Sequence, residues 1–239
     1  MEHAIVLTPE VLGHIGFLPV TNTMLVSWIV SLILVTLSLM ATFRVKAVPS
    51  GLQNVFEFVI EYTYNLSEEI AHSKAKTFFP WVMTFFLFII TANWLGLLPG
   101  FGTITYKGEP LLRSVNSDLN ITLAMALLSA FMTHFFAIRF LGIIDYLKKF
   151  FSLNPIFLFV GLLELVGEFT KIVSLSFRLF GNIFAGEIVL STIASIFAFV
   201  VPLPFYFLEI IVGFVQAAVF MMLTLVFMSI LSEKHTAED

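Results

Sequence analysis

Glu164, Glu168, Lys171, Arg178, Glu187 and Glu209 all lie inside otherwise apolar sequence between residues 155 and 231. At a helix centre in hydrocarbon each costs on the order of 2.5–3.5 kcal/mol, so such groups persist where they line a cavity or an ion path. At about 100° per residue, Glu164, Lys171, Ser174 and Asn182 fall within roughly 40° of Arg178, and Glu187 falls on the opposite side. Glu209 and Gln216 are seven apart and share a face of the following segment. Two polar lanes flanking a fixed positive charge are what an ion path in two half-channels requires. Glu168 and Lys171, at i,i+3, read as a neutralising pair. Glu164 reads either as a partner for Lys171 or Arg178 or as part of the path. Arg178 has no carboxylate at i±3 or i±4, so its partner is expected from another helix or another chain. His134 has no second His or carboxylate at i+3 or i+4, which favours a packed or pore-adjacent polar residue over a metal ligand.

The elements that must hold these residues follow from composition. Of 239 residues, 59% are hydrophobic and 12% charged, and 29 are Phe. A soluble domain carries about twice that charged fraction. Apolar runs without period-2 alternation predict membrane helices and exclude a barrel. The reading is a single all-α membrane domain over residues 1–239. It has membrane helices at 23–43, 77–98, 119–141, 155–201 and 203–232, an N-terminal segment at 1–22 and a tail at 233–239. Residues 50–72 alternate Leu52, Val55, Phe56, Val59, Leu66 and Ile70 with Asn54, Glu57, Glu61, Asn65 and Glu68, which predicts an amphipathic interfacial helix. The last two runs exceed the bilayer thickness, so a long tilted hairpin is expected. Arg44, Lys46, Lys74, Lys76, Arg139, Lys148 and Lys149 all fall on one side of the spans. That side is expected to be cytoplasmic, with Lys107 and Arg113 a mild violation. A net charge of −4 without a basic stripe argues against nucleic acid, and zero cysteines exclude disulfides and thiolate sites.

Ser174-Leu175-Ser176-Phe177-Arg178-Leu179-Phe180-Gly181-Asn182, followed by Gly186-Glu187, resembles the signature helix of subunit a of F-type ATP synthases. Asn93 with Gly96, Leu97 and Pro99, Asp118-Leu119-Asn120 with Thr122, and Pro155, Glu164 and Gln216 at their spacing from Arg178 extend the resemblance over nearly the whole chain. It implies a proton-conducting stator subunit that is no enzyme on its own and takes no cofactor or metal. Its partners would be a rotating c-subunit ring, b-type peripheral stalk subunits, the F1 sector indirectly, and the lipid bilayer.

By the same resemblance, Arg178 faces the ring carboxylate, favours its ionised form and blocks direct passage between half-channels. Protons enter near Asn93, Glu187 and Glu209 and leave past Glu164 and Ser174. Gln216 sits opposite Arg178 across the hairpin and orients it, with Asn182 one turn further on. Some relatives carry His at 187 or 209 and an acid at 96. Here both sites are Glu and position 96 is Gly, so the outer lane rests on a carboxylate pair that can share one proton. The implied location is a bacterial inner membrane, the alternative being an organellar energy-transducing membrane, with the N-terminus outside and the C-terminus cytoplasmic. A secondary transporter would show an internal repeat, and a metal-dependent membrane enzyme clustered acids; neither pattern is found. With no phosphate-binding loop, ATP chemistry belongs to partner chains.

Overall fold

The computed structural model describes residues 8–43, 45–46, 51–98, 100–101, 104–106, 108–150, 155–197 and 200–233. Arg44, Pro99, Lys107 and the tail beyond Glu233 lie outside them. Helix α1 spans Asn22–Thr42, α2 Leu52–Ala71, α3 Ala75–Gly96, α4 Leu119–Leu141, α5 Ile143–Phe150, α6 Pro155–Ile196 and α7 Pro202–Leu231. Five helical segments are long and apolar enough to cross a bilayer: 22–42, 53–96, 119–141, 158–196 and 202–231. The second joins amphipathic α2 to α3 through a 3₁₀ turn at His72–Lys74, where His72 takes the left-handed φ of 47°.

Local signals place the helix ends. Thr21 caps α1 by accepting from the Met24 N–H, and Asp118 caps α4 by accepting from the Asn120 N–H. Gly142, at φ +83°, ends α4, and Pro202 opens α7. At 42 residues, α6 is roughly 63 Å long, about twice the hydrocarbon thickness. It stops at Ile196, five residues short of the end expected from the apolar run. Two features carry no signal in that run: α5, and a short hairpin of β1, Val11–Ile15, with β2, Leu18–Thr21. A second pair of two-residue strands, β3 at Thr105–Tyr106 and β4 at Glu109–Pro110, sits between α3 and α4.

The core lies among α3, α4, α6 and α7, where Phe78, Phe136, Leu179, Phe220 and Leu225 are fully buried. Phe78 meets Phe136 edge-on at 5.2 Å between ring centroids. α1 buries only its first turns, through Asn22, Thr23, Val26 and Val30, and leaves Leu32, Val35, Leu39 and Met40 exposed, a pattern suited to lipid. At the opposite end, Lys149 donates to the Leu231 carbonyl at 3.0 Å and Lys74 to the Ser232 carbonyl at 2.9 Å. These two cations satisfy the carbonyl end of α7 and complement its dipole. The lysines before α3 and after α4 are thus gathered at one end of the bundle.

Candidate ion-translocation site

Helix α6 presents different polar groups on its two sides. On one, Lys171, Ser174 and Arg178 line a cavity of about 440 Å³, walled by Gly167, Thr170, Leu223 and Phe227. Arg178 is exposed and donates to the Ser174 hydroxyl at 3.1 Å. Among the described residues no carboxylate stands within ion-pair distance of it. The i,i+4 spacing makes this contact local: the hydroxyl holds the guanidinium along the helix, leaving its remaining donors directed outward.

On the other side, Asn93, Gly96, Leu97, Ser114, Ile183, Glu187 and Glu209 surround a cavity of about 10 Å³, close to the smallest space that admits one water. Asn93, Glu187 and Glu209, three residues singled out from sequence, are therefore brought together by α3, α6 and α7. Glu187 points at the Ser114 and Ser117 hydroxyls, with the Arg113 guanidinium and the Glu209 carboxylate nearby. Glu209 can approach because residue 186 is Gly: a Cβ there would fall inside the Glu209 carboxylate. Gly213 and Gly96 serve the same end. A Cβ on Gly213 would lie 3.1 Å from the Asn93 Cβ, and one on Gly96 would lie 3.0 Å from Ser114. The acid that some relatives carry at position 96 would need Ser114 to move.

A hydrogen-bond chain braces this cavity. Asn116 donates to Asn93 at 2.7 Å, and Asn93 donates to the Gly213 carbonyl at 3.0 Å. Asn116 Oδ1 and Glu209 Oε1 are buried without a hydrogen-bond partner among the described residues. Such groups are costly in an apolar interior and fit a hydrated, ion-exchanging lane. The stretch Ser114–Asp118 is almost wholly buried, although it contains a 3₁₀ turn rather than a full helix. Irregular backbone at this depth is tolerated where it lines a polar cavity. In the sequence, Ser114, Asn116 and Ser117 read as loop. Their one signal is the uninterrupted polar run Asn116-Ser117-Asp118 next to a span. Arg113, the apparent exception to the charge bias, bonds the Thr8 carbonyl at 2.8 Å and Ser117 Oγ at 3.3 Å beside Glu187.

Along α6 between Arg178 and Glu187, Asn182 donates to Gln216 Oε1 at 2.7 Å. Gln216 is 4% exposed and meets Asn182 across the hairpin, not Arg178. Glu164 pairs with neither Lys171 nor Arg178. Its charge acts on Tyr146 and Lys149 of α5, at the end of the bundle that carries Lys74. Burial pushes the Tyr146 hydroxyl above its usual range, reinforced by Glu168 and Glu164, and pushes Lys149 below the usual lysine value. Lys171 pairs with Glu168 at 2.6 Å.

Fold and site define a polytopic membrane protein whose two longest helices hold a fixed cation on one side and an internal carboxylate pair on the other. Residues 24–229 match the family model described as ATP synthase A chain. The chain is 33% identical to ATP synthase subunit a of Moorella thermoacetica, covering 92% of this chain and 95% of that one. It is 36% identical to ATP synthase subunit a of Geobacter sulfurreducens over 87% of each, and 35% identical to that of Geobacter sp. strain M21 over 91% of each. The chain belongs to the ATP synthase A chain family and is a subunit of the membrane sector of the F-type ATP synthase.

Proposed function

We propose that this chain is the proton-conducting stator subunit, with two offset half-channels on opposite sides of α6. The observation that carries this reading is the separation of the Glu187–Glu209 cavity from the Arg178 cavity, with the Asn182–Gln216 bond between them. Protons enter through the lane of Asn93, Glu187 and Glu209 and load a carboxylate on a c-subunit ring. That carboxylate, neutral, travels through lipid and is unloaded on the side of Ser174 and Glu164. Arg178, always charged, favours the ionised carboxylate as it passes and bars direct leakage between lanes. Each proton crossing 100 mV supplies about 2.3 kcal/mol, so several are needed per ATP.

The end bearing Lys74, Arg139, Lys148 and Lys149 is cytoplasmic, so the N-terminus faces outward and the C-terminus faces the cytoplasm, and the membrane is a bacterial inner membrane. The c-ring covers the exposed face around Arg178, and b-type stalk subunits hold the chain still against it. The test is ATP synthesis and ATP-driven proton pumping in membrane vesicles carrying Arg178→Ala, with co-purification of ring and stalk checked. Assembly without either activity supports the assignment. Pumping near the wild-type rate overturns it.

A further inference from the structure

Lys171 stands two helical turns from Arg178 in the wall of the same cavity, and an unneutralised second cation there would oppose proton traffic past Arg178. Its environment ties it off. Glu168 accepts from Lys171 Nζ at 2.6 Å, and Nζ lies 4.7 Å from the centroid of the Phe227 ring. Glu168 is 12% exposed by side chain and Lys171 35%, so the pair is only weakly screened. Both also line a smaller cavity with Ser129, Thr133 and Phe227, away from Arg178. The carboxylate thus draws the ammonium toward α4 and leaves the Ser174 hydroxyl to Arg178.

The Glu168 carboxylate is itself held from a third direction. His134 Nε2 of α4 lies 3.8 Å from Glu168 Oε2, and His134 Nδ1 is hydrogen-bonded at 2.9 Å to the Tyr146 hydroxyl of α5. The bond to Tyr146 fixes the imidazole ring so that its other nitrogen faces the carboxylate. Lys171, Glu168, His134 and Tyr146 therefore form one line from the Arg178 cavity to the surface helix α5. Glu164 is the other charged group that acts on Tyr146, and Glu164, Glu233 and Lys74 act on nearby Lys149.

We infer that Glu168, braced by His134 and Tyr146, is a positioning residue for transport: it neutralises and retracts Lys171 so that, among the described residues, Arg178 is the one uncompensated cation in the cavity. This rests on the half-channel reading above. In Glu168→Gln, Lys171 keeps its charge, loses its carboxylate, and competes with Arg178 for Ser174.

The test is ATP-driven proton pumping in vesicles with intact assembled complex, comparing wild type, Glu168→Gln, Lys171→Gln and the double variant. Coupled neighbours of this kind give a non-additivity of roughly threefold or more. Glu168→Gln is expected to slow pumping at least about threefold in the wild-type background and to have little further effect when residue 171 is Gln. His134→Ala is expected to act in the same direction as Glu168→Gln, more weakly, and also only while Lys171 is present. Equal effects of Glu168→Gln in both backgrounds would mean that Glu168 serves packing alone and would overturn the inference. Arg178→Ala, run alongside, separates the two failures: an active Arg178→Ala sinks the half-channel reading, whereas an inactive one with additive Glu168 and Lys171 effects sinks only this inference.

Discussion

The cavity around Glu187 and Glu209 and the cavity around Arg178 lie along the same helix and are built in opposite ways. The first is closed: α3, α6, α7 and the turn before α4 all contribute, and glycines at 96, 186 and 213 let polar side chains and backbone approach closely. The second is open, larger and mostly apolar, and Arg178 at one end of its lining presents a guanidinium whose contact to a side chain of its own chain is the Ser174 hydroxyl. A polar site finished within one chain can be stabilised by its own hydrogen bonds. A cation left on an apolar face in lipid is a half-site, and it becomes tolerable when an opposite charge is delivered by something outside the chain.

That contrast can be broken most sharply at Gly186. In Gly186→Val the side chain occupies the space of the Glu209 carboxylate, so the carboxylate pair must separate. ATP-driven pumping is expected to fall by at least about tenfold, since packed interiors accommodate added volume poorly. Pumping near the wild-type rate would show that the pair does not act as a unit. Asn93→Ala removes one partner from Asn116 and one from the Gly213 carbonyl, both buried. It is expected to destabilise the chain by about 1–3 kcal/mol, read as a lower melting temperature of the purified complex.

Ser174→Ala is the matching change on the open side. It is expected to leave the melting temperature almost unmoved, within about 0.5 kcal/mol in stability, while slowing pumping a few-fold as Arg178 loses its tether. A stability loss comparable with that of Asn93→Ala would erase the distinction between a closed and an open site. The smallest effect is expected from Leu39→Ala, on the exposed C-terminal half of α1, which should change neither thermal stability nor pumping.

Much of this was legible from spacing within a helix. That Arg178 and Glu187 lie on opposite sides of α6, and that Glu168 meets Lys171, follow from periodicity because both are relations inside one regular element. Relations between elements were not so readable. Gln216 meets Asn182 and not Arg178 because the hairpin register is set by packing around Leu179, Phe220 and Leu225, which no local spacing encodes. The carboxylate facing His134 comes from α6 and not from His134's own helix, so a search at i+3 and i+4 could not find it. Ser114, Asn116 and Ser117 read as surface loop because polar, non-periodic sequence normally is one; here its polarity faces inward onto Glu187. α5 was missed because eight residues after Gly142 are too few for a periodic signal.

Two half-channels require that the two cavities exchange protons with opposite sides of the membrane. This chain has no native cysteine, so single cysteines at Ser114 and Ser174 can be probed in assembled complex with Ag+, a thiol-reactive cation small enough for a water-sized space, against a control complex without them, using right-side-out and inside-out vesicles. Ser114→Cys is expected to be modified from the outer side and Ser174→Cys from the cytoplasmic side. Modification of both from the same side would overturn the half-channel arrangement.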